Sequence, residues 1–108
     1  MLDRFKDIPD DQLIAQTLAG NQQAFGVLVR RHERQVAATV LGMLGNCIEA
    51  EDVGQETFVR FYKALASFRG DSTVGTYLTR IAINLSLNEL KRRKRHRSFF
   101  FFLSPNDT

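Results

Sequence analysis

Three polar breaks, Gly20-Asn21, Gly45-Asn46 and Gly70-Asp71-Ser72, cut this chain into segments and leave little choice of fold. Within each segment the apolar residues recur at spacings of three and four, as they do along one stripe of an α-helix. No stretch with period-two alternation remains to form a strand. A glycine that accepts positive φ closes a helix, and a following Asn, Asp or Ser can accept the unpaired N–H groups that open the next. The pattern predicts an all-α fold, a compact bundle of three long helices with a short N-terminal one in front.

In the short leading helix, Pro9 and Asp10 stand at the front, the apolar residues are Leu13, Ile14 and Leu18, and Gly20-Asn21 follows. Asn21 is placed to cap the second helix, with Phe25, Leu28, Val29, Val36, Val40, Leu41 and Leu44 as its apolar stripe and Arg30, Arg31, Glu33 and Arg34 on the wet side. His32 lies near that stripe and receives no chemical role. Asn46 with Glu49 resembles a capping box, so a third helix is expected from about Cys47 to Ser67, burying Val53, Phe58, Phe61, Tyr62, Leu65 and Phe68. The fourth, about Thr73 to Arg95, buries Tyr77, Leu78, Ile81, Ala82, Leu85 and Leu90, with Asp71 or Ser72 as its cap.

Two of these helices carry a second, polar face. On the third, Asp52, Gln55, Glu56 and Val59 stand at i, i+3, i+4 and i+7. Acidic residues in a first turn complement the helix dipole, which accounts for Glu49 and Asp52 but less well for Gln55 and Glu56 one turn further in. A protein partner that reads the row is the other account. On the fourth, Thr76, Arg80, Asn84, Asn88 and Lys91 share a face that ends in Lys91-Arg92-Arg93-Lys94-Arg95-His96-Arg97. Beside a Gly-broken loop, such a row suits a sugar-phosphate backbone; it equally suits a solvated helix face ending in favourable cations. The run itself is too cationic to pack internally and is expected to face solvent or an anion.

Composition narrows the function classes. The chain has 108 residues, 44% of them hydrophobic, enough for one core. Its net charge of +3 is unevenly spread. Residues 1–66 carry 7 Lys/Arg against 9 Asp/Glu, whereas residues 67–108 carry 8 against 3. The C-terminal part therefore favours a polyanion. Cys47 is the one cysteine, which excludes an internal disulfide, and His32 and His96 have no ligand spacing for a metal. There is no phosphate loop, nucleophile elbow or tuned carboxylate pair, so no catalysis and no cofactor are expected. The start lacks a secretion signal and no run is long enough for a membrane span, so a cytoplasmic protein is expected.

Three blocks resemble the second conserved region of bacterial sigma-70 family factors, most closely the extracytoplasmic-function (ECF) group. They are Asp10-Asp11-Gln12-Leu13 with Gly20-Asn21-Gln22-Gln23-Ala24-Phe25; Ala50-Glu51-Asp52-Val53-Gly54-Gln55-Glu56-Thr57-Phe58; and Phe68-Arg69-Gly70-Asp71-Ser72 through Thr76-Tyr77-Leu78 to Arg80-Ile81-Ala82-Ile83-Asn84-Leu85. The resemblance implies that Asp52, Gln55, Glu56 and Val59 dock on the β′ clamp of core RNA polymerase. It implies that Arg69, Gly70, Asp71, Ser72, Thr73, Thr76, Tyr77, Arg80, Asn84, Asn88, Lys91 and Arg92 recognise and help melt the promoter −10 element, capturing an unstacked base of the non-template strand. An anti-sigma factor is the implied regulator. Three positions depart from the family pattern: Gly54 replaces a branched apolar residue, Gly75 an aromatic, and Tyr77 a tryptophan.

The expected division is a region 2 domain over residues 1–97 and the start of an interdomain linker over 98–108, ahead of a second DNA-binding domain. The rival is a basic-aromatic module, Lys91 to Arg97 with Phe99 to Phe102, that binds a membrane surface or a protein. It gives no role to the acidic row or to the Gly70 loop.

Overall fold

The computed structural model describes residues 5–103. The expectations for the chain's first residues and for the tail beyond Leu103 lie outside the described residues. Helix α1 spans Asp10–Leu18, α2 Gln22–Leu44, α3 Ile48–Ala64 and α4 Val74–Leu103, with a single 3-10 turn at Leu65–Ser67. No strand occurs among the described residues. The all-α bundle is thus as the apolar spacing predicts.

The three breaks hold, with Gly20, Gly45 and Gly70 at φ of +105°, +83° and +75°. The caps follow less closely. Asn21 accepts the backbone N–H of Gln23 at 3.1 Å and opens α2 as expected. At the second break the first residue outside the helix is Cys47, with no side-chain bond to the helix start. The Asn46–Glu49 capping box is not formed, because Glu49 turns toward Arg93 at 3.6 Å. At the third break the cap is Thr73, not Asp71 or Ser72: Thr73 Oγ1 accepts the backbone N–H of Thr76 at 3.1 Å. The loop therefore keeps its Asp71 carboxylate out of the helix.

The core is built round Phe61, which is fully buried with Leu13, Leu28, Val36, Val40, Leu65, Leu78 and Ala82. Complete burial of such a ring stabilises the fold by about 2–3 kcal/mol. Phe25, Phe68 and Tyr77 surround it with ring centroids 5.9 to 6.2 Å away. Tyr62, expected inside, remains 44% exposed, with its ring edge-on to Phe25 and its hydroxyl accepting from Gln22 Nε2 at 3.3 Å. Val74 and Ser86 are buried in place of part of the expected α4 stripe.

The N-terminal segment is held by residues whose role the periodicity does not reveal. The Asp10 carboxylate meets Arg31 at 3.1 Å and His32 at 2.8 Å, and Arg31 also donates to the backbone carbonyls of Phe5 and Ile8. At the far end α4 continues to Leu103 instead of stopping near Arg95. Nothing between Arg95 and Leu103 breaks a helix, the next proline being Pro105. From Lys94 onward every described residue of α4 is exposed, the four phenylalanines by 55 to 80%.

Candidate nucleic-acid interface

The loop after the 3-10 turn passes over the aromatic cluster and leaves a small pocket of about 190 Å³, lined by Ser67, Phe68, Arg69, Asp71, Ser72, Tyr77 and Arg80. Positive φ at Gly70 turns the chain back over Tyr77, whose ring meets Phe68 edge-on at 5.0 Å. The floor is therefore aromatic and the mouth polar. Ser67 and Phe68 are members that residue types alone do not single out, because Phe68 reads as core.

The expected DNA-contacting residues are all accessible: Arg69, Gly70, Asp71, Thr73, Thr76, Arg80, Asn84, Asn88, Lys91 and Arg92 are exposed, and Ser72 and Tyr77 half-buried. Their polar groups are not equally free. Thr73 and Thr76 bond each other at 2.9 Å in the helix cap. Arg92 grips the Glu89 carboxylate through two N–H groups, each at 2.9 Å. By contrast, Arg69, Asp71, Arg80, Asn84, Asn88 and Lys91 bond no other described side chain or carbonyl. Six donors and acceptors thus stand ready along one line from loop to helix.

The cationic run faces solvent or an anion as expected, Arg93 meeting the Glu49 and Glu89 carboxylates, but Arg93 is also half-buried, which a run too cationic to pack internally does not anticipate. Arg93 donates to Glu89 at 3.0 Å, to the Leu44 carbonyl at 3.2 Å and to Cys47 Sγ at 3.2 Å, so it ties α4 to the corner between α2 and α3. Glu89 supplies an internal anion one turn before the run. The Arg92 guanidinium holds the Glu89 carboxyl below the usual carboxylate range, burial pushes the other way, and Arg93 adds to the lowering.

The row Asp52, Gln55, Glu56 and Val59 forms the outer ridge of α3, with Glu56 bonded to Arg60 at 3.2 Å and half-buried and the other three exposed. A groove flanks it on either side, apolar toward α2 and largely charged toward α4. On the α2 side Val29, Val36, Ala37, Val40, Leu41, Gly54 and Phe58 line a groove that Gln55 borders, which is why Val29 and Leu41 are less buried than expected. A Cβ at Gly54 would meet nothing within 4 Å, so the missing side chain widens this groove without leaving a hole. On the α4 side Asp52 and Glu56 share a groove with Asn88, Arg92 and Arg95. The acidic row and the cationic helix therefore meet along the α3–α4 seam. Gly75 has its own reason: a Cβ there would lie 3.1 Å from Gln35 Oε1, and Gln35 crosses from α2 to bond Thr79 at 2.9 Å. Among the described residues no three His, Cys, Asp or Glu side chains are grouped to hold a metal, and no helix is long and apolar enough to cross a membrane.

Residues 28–96 match the model of the Sigma-70 region 2 family, and the chain belongs to that family. It is a region 2 domain of the ECF type. It is 40% identical over 86 residues to the RNA polymerase sigma-H factor of Pseudomonas aeruginosa, covering 80% of this chain and 45% of that protein. It is 39% identical over 90 residues to the ECF RNA polymerase sigma-E factor of Escherichia coli K12, covering 83% and 47%. The chain thus spans about half the length of the curated relatives it matches. Among solved structures, an engineered region 2 of sigmaE in complex with GTAAAA superposes with a TM-score of 0.74 at 34% identity, covering 84% of this chain and 95% of that one.

Proposed function

We propose that this domain serves transcription initiation, docking on core RNA polymerase through Asp52, Gln55, Glu56 and Val59 and holding the melted non-template strand of a −10 promoter element along the loop and outer face of α4. The observation that carries the reading is the loop pocket: an aromatic floor of Phe68 and Tyr77 under the unpaired Arg69, Asp71 and Arg80. An unstacked base needs a flat apolar surface and nearby donors and acceptors for its edge, and its phosphates need cations. The fold-level match to a region 2 bound to GTAAAA supports the same assignment. Asn84 and Arg80, one turn apart on α4, are the proposed base-reading and phosphate-holding residues. Residues 1–97 constitute the binding domain in this reading, 98–108 open a linker, the partner subunit is β′, an anti-sigma factor covers both faces, and the site of action is the cytoplasm.

The test is fluorescence anisotropy with labelled single-stranded GTAAAA and a scrambled hexamer. Asn84→Ala is expected to weaken binding to the matched strand by about 1–3 kcal/mol while sparing the scrambled one; equal losses on both would count against base reading. In a parallel pull-down, Glu56→Lys should abolish capture of core polymerase with the helical circular dichroism unchanged. Undiminished capture would remove the row from docking.

The exposed Phe99 to Phe102 beside Arg95 and Arg97 favour a second reading, attachment to an anionic membrane surface. Binding to anionic vesicles that survives loss of the Gly70 loop but not of residues 91–103 would establish it.

A further inference from the structure

Tyr77 is the wall between two depressions, not the end of one. On one side lies the loop pocket; on the other is a groove between α3 and α4 lined by Glu56, Arg60, Lys63, Ala64, Tyr77 and Ile81. Its floor is apolar, with Ala64 from α3 and Ile81 from α4 beside the tyrosine ring. Its rim carries two cations in different states. Arg60 is paired with Glu56 at 3.2 Å, which neutralises it locally. Lys63 is exposed and bonds no other described group.

We propose that this groove receives the nucleotide adjacent to the one held in the loop pocket, with its base on Ala64, Ile81 and Tyr77 and its phosphate on Lys63. The inference rests on the single-strand reading above and adds α3 to a binding surface so far assigned to the loop and α4. Charge complementarity and continuity with the loop pocket select the occupant. An unpaired ammonium beside an apolar shelf suits a stacked base with its phosphate, and Tyr77, which lines both depressions, makes the groove continuous with the loop pocket. Lys63 acts as a point charge on the backbone and reads no base edge.

The probes are single-stranded DNA GTAAAA and a scrambled hexamer, titrated into wild-type protein, Lys63→Ala and Asn84→Ala. Lys63→Ala is expected to weaken both strands by a similar factor, roughly three- to tenfold, and to lower the slope of log K against log salt by about 0.7. Ile81 and Ala64 methyl resonances should shift when the wild-type protein is titrated with GTAAAA. Unchanged affinity and salt slope in Lys63→Ala, with wild-type binding intact, would overturn the groove assignment alone. Absence of wild-type binding to either strand would overturn the single-strand reading and this inference together. Weaker polymerase capture by Lys63→Ala with hexamer binding untouched would give the groove to a protein partner and also overturn the proposal. Lys63 is exposed, so the variant should keep the wild-type thermal midpoint, which checks that folding is not the cause.

Discussion

Ser86 sits fully buried in α4 with no hydrogen-bond partner for its hydroxyl among the described residues. Thr17 and Thr57, the other buried hydroxyls among the described residues, each donate to the carbonyl four residues earlier at 2.8 Å, so the fold satisfies such groups elsewhere. An unsatisfied buried polar group costs about 1–3 kcal/mol, and Ala is the better helix former. Ser86→Ala should therefore stabilise the domain by about 1 kcal/mol, a rise of about 4–8 °C in the thermal midpoint for a domain of this size. A lower midpoint would show that the hydroxyl has a partner. At this scale sequence reading is weakest. The helical period carries the face on which a side chain lies, but not whether a neighbour from another helix satisfies or covers it. Arg31 reads as a wet-side residue and Arg93 as one member of a cationic run, and Gln35 carries no sequence signal at all, yet all three bridge elements.

Elements were more legible than their ends. The breaks at Gly20, Gly45 and Gly70 follow from a local backbone requirement, which is why they could be placed. The cap at Cys47 could not, since Glu49 answers Arg93 from α4 in preference to its own helix start, and at the third break Asp71, Ser72 and Thr73 are adjacent residues that can all cap, of which Thr73 does. Within α4, Glu89 between Arg92 and Arg93 makes stability depend on pH. Its folded carboxyl lies below the usual range, so its contribution is complete above the unfolded carboxylate range and is lost as pH falls through the lowered folded value. Urea midpoints should consequently separate wild-type protein from Glu89→Gln at pH 7 and converge at strongly acid pH. A gap that persists on acidification would dissociate the effect from ionisation.

Across the whole molecule the charge division of the sequence becomes a spatial one: free cations line the loop and the projecting end of α4, and carboxylates line the ridge of α3. If a single strand contacts Arg69, Arg80 and Lys91 through its phosphates, log K should fall with log salt with a slope of about −2, at about 0.7 per phosphate. A flat salt response would contradict backbone binding. The two polar surfaces are not isolated, since Asp52 and Glu56 share a groove with Asn88 and Arg92, and occupation of one face is within reach of the other. The sequence by itself determined the all-α class, the three breaks, the polar row on α3 and the polar face of α4 from Thr76 to Lys91, because each depends on local backbone preference or on the period of one helix. Only the tertiary structure decided that Tyr77 lines two depressions, that Lys63 borders one of them, and that Arg93 reaches from α4 to Glu49, the Leu44 carbonyl and Cys47. Those relations join residues brought together by packing between helices, and no periodicity within one helix encodes them.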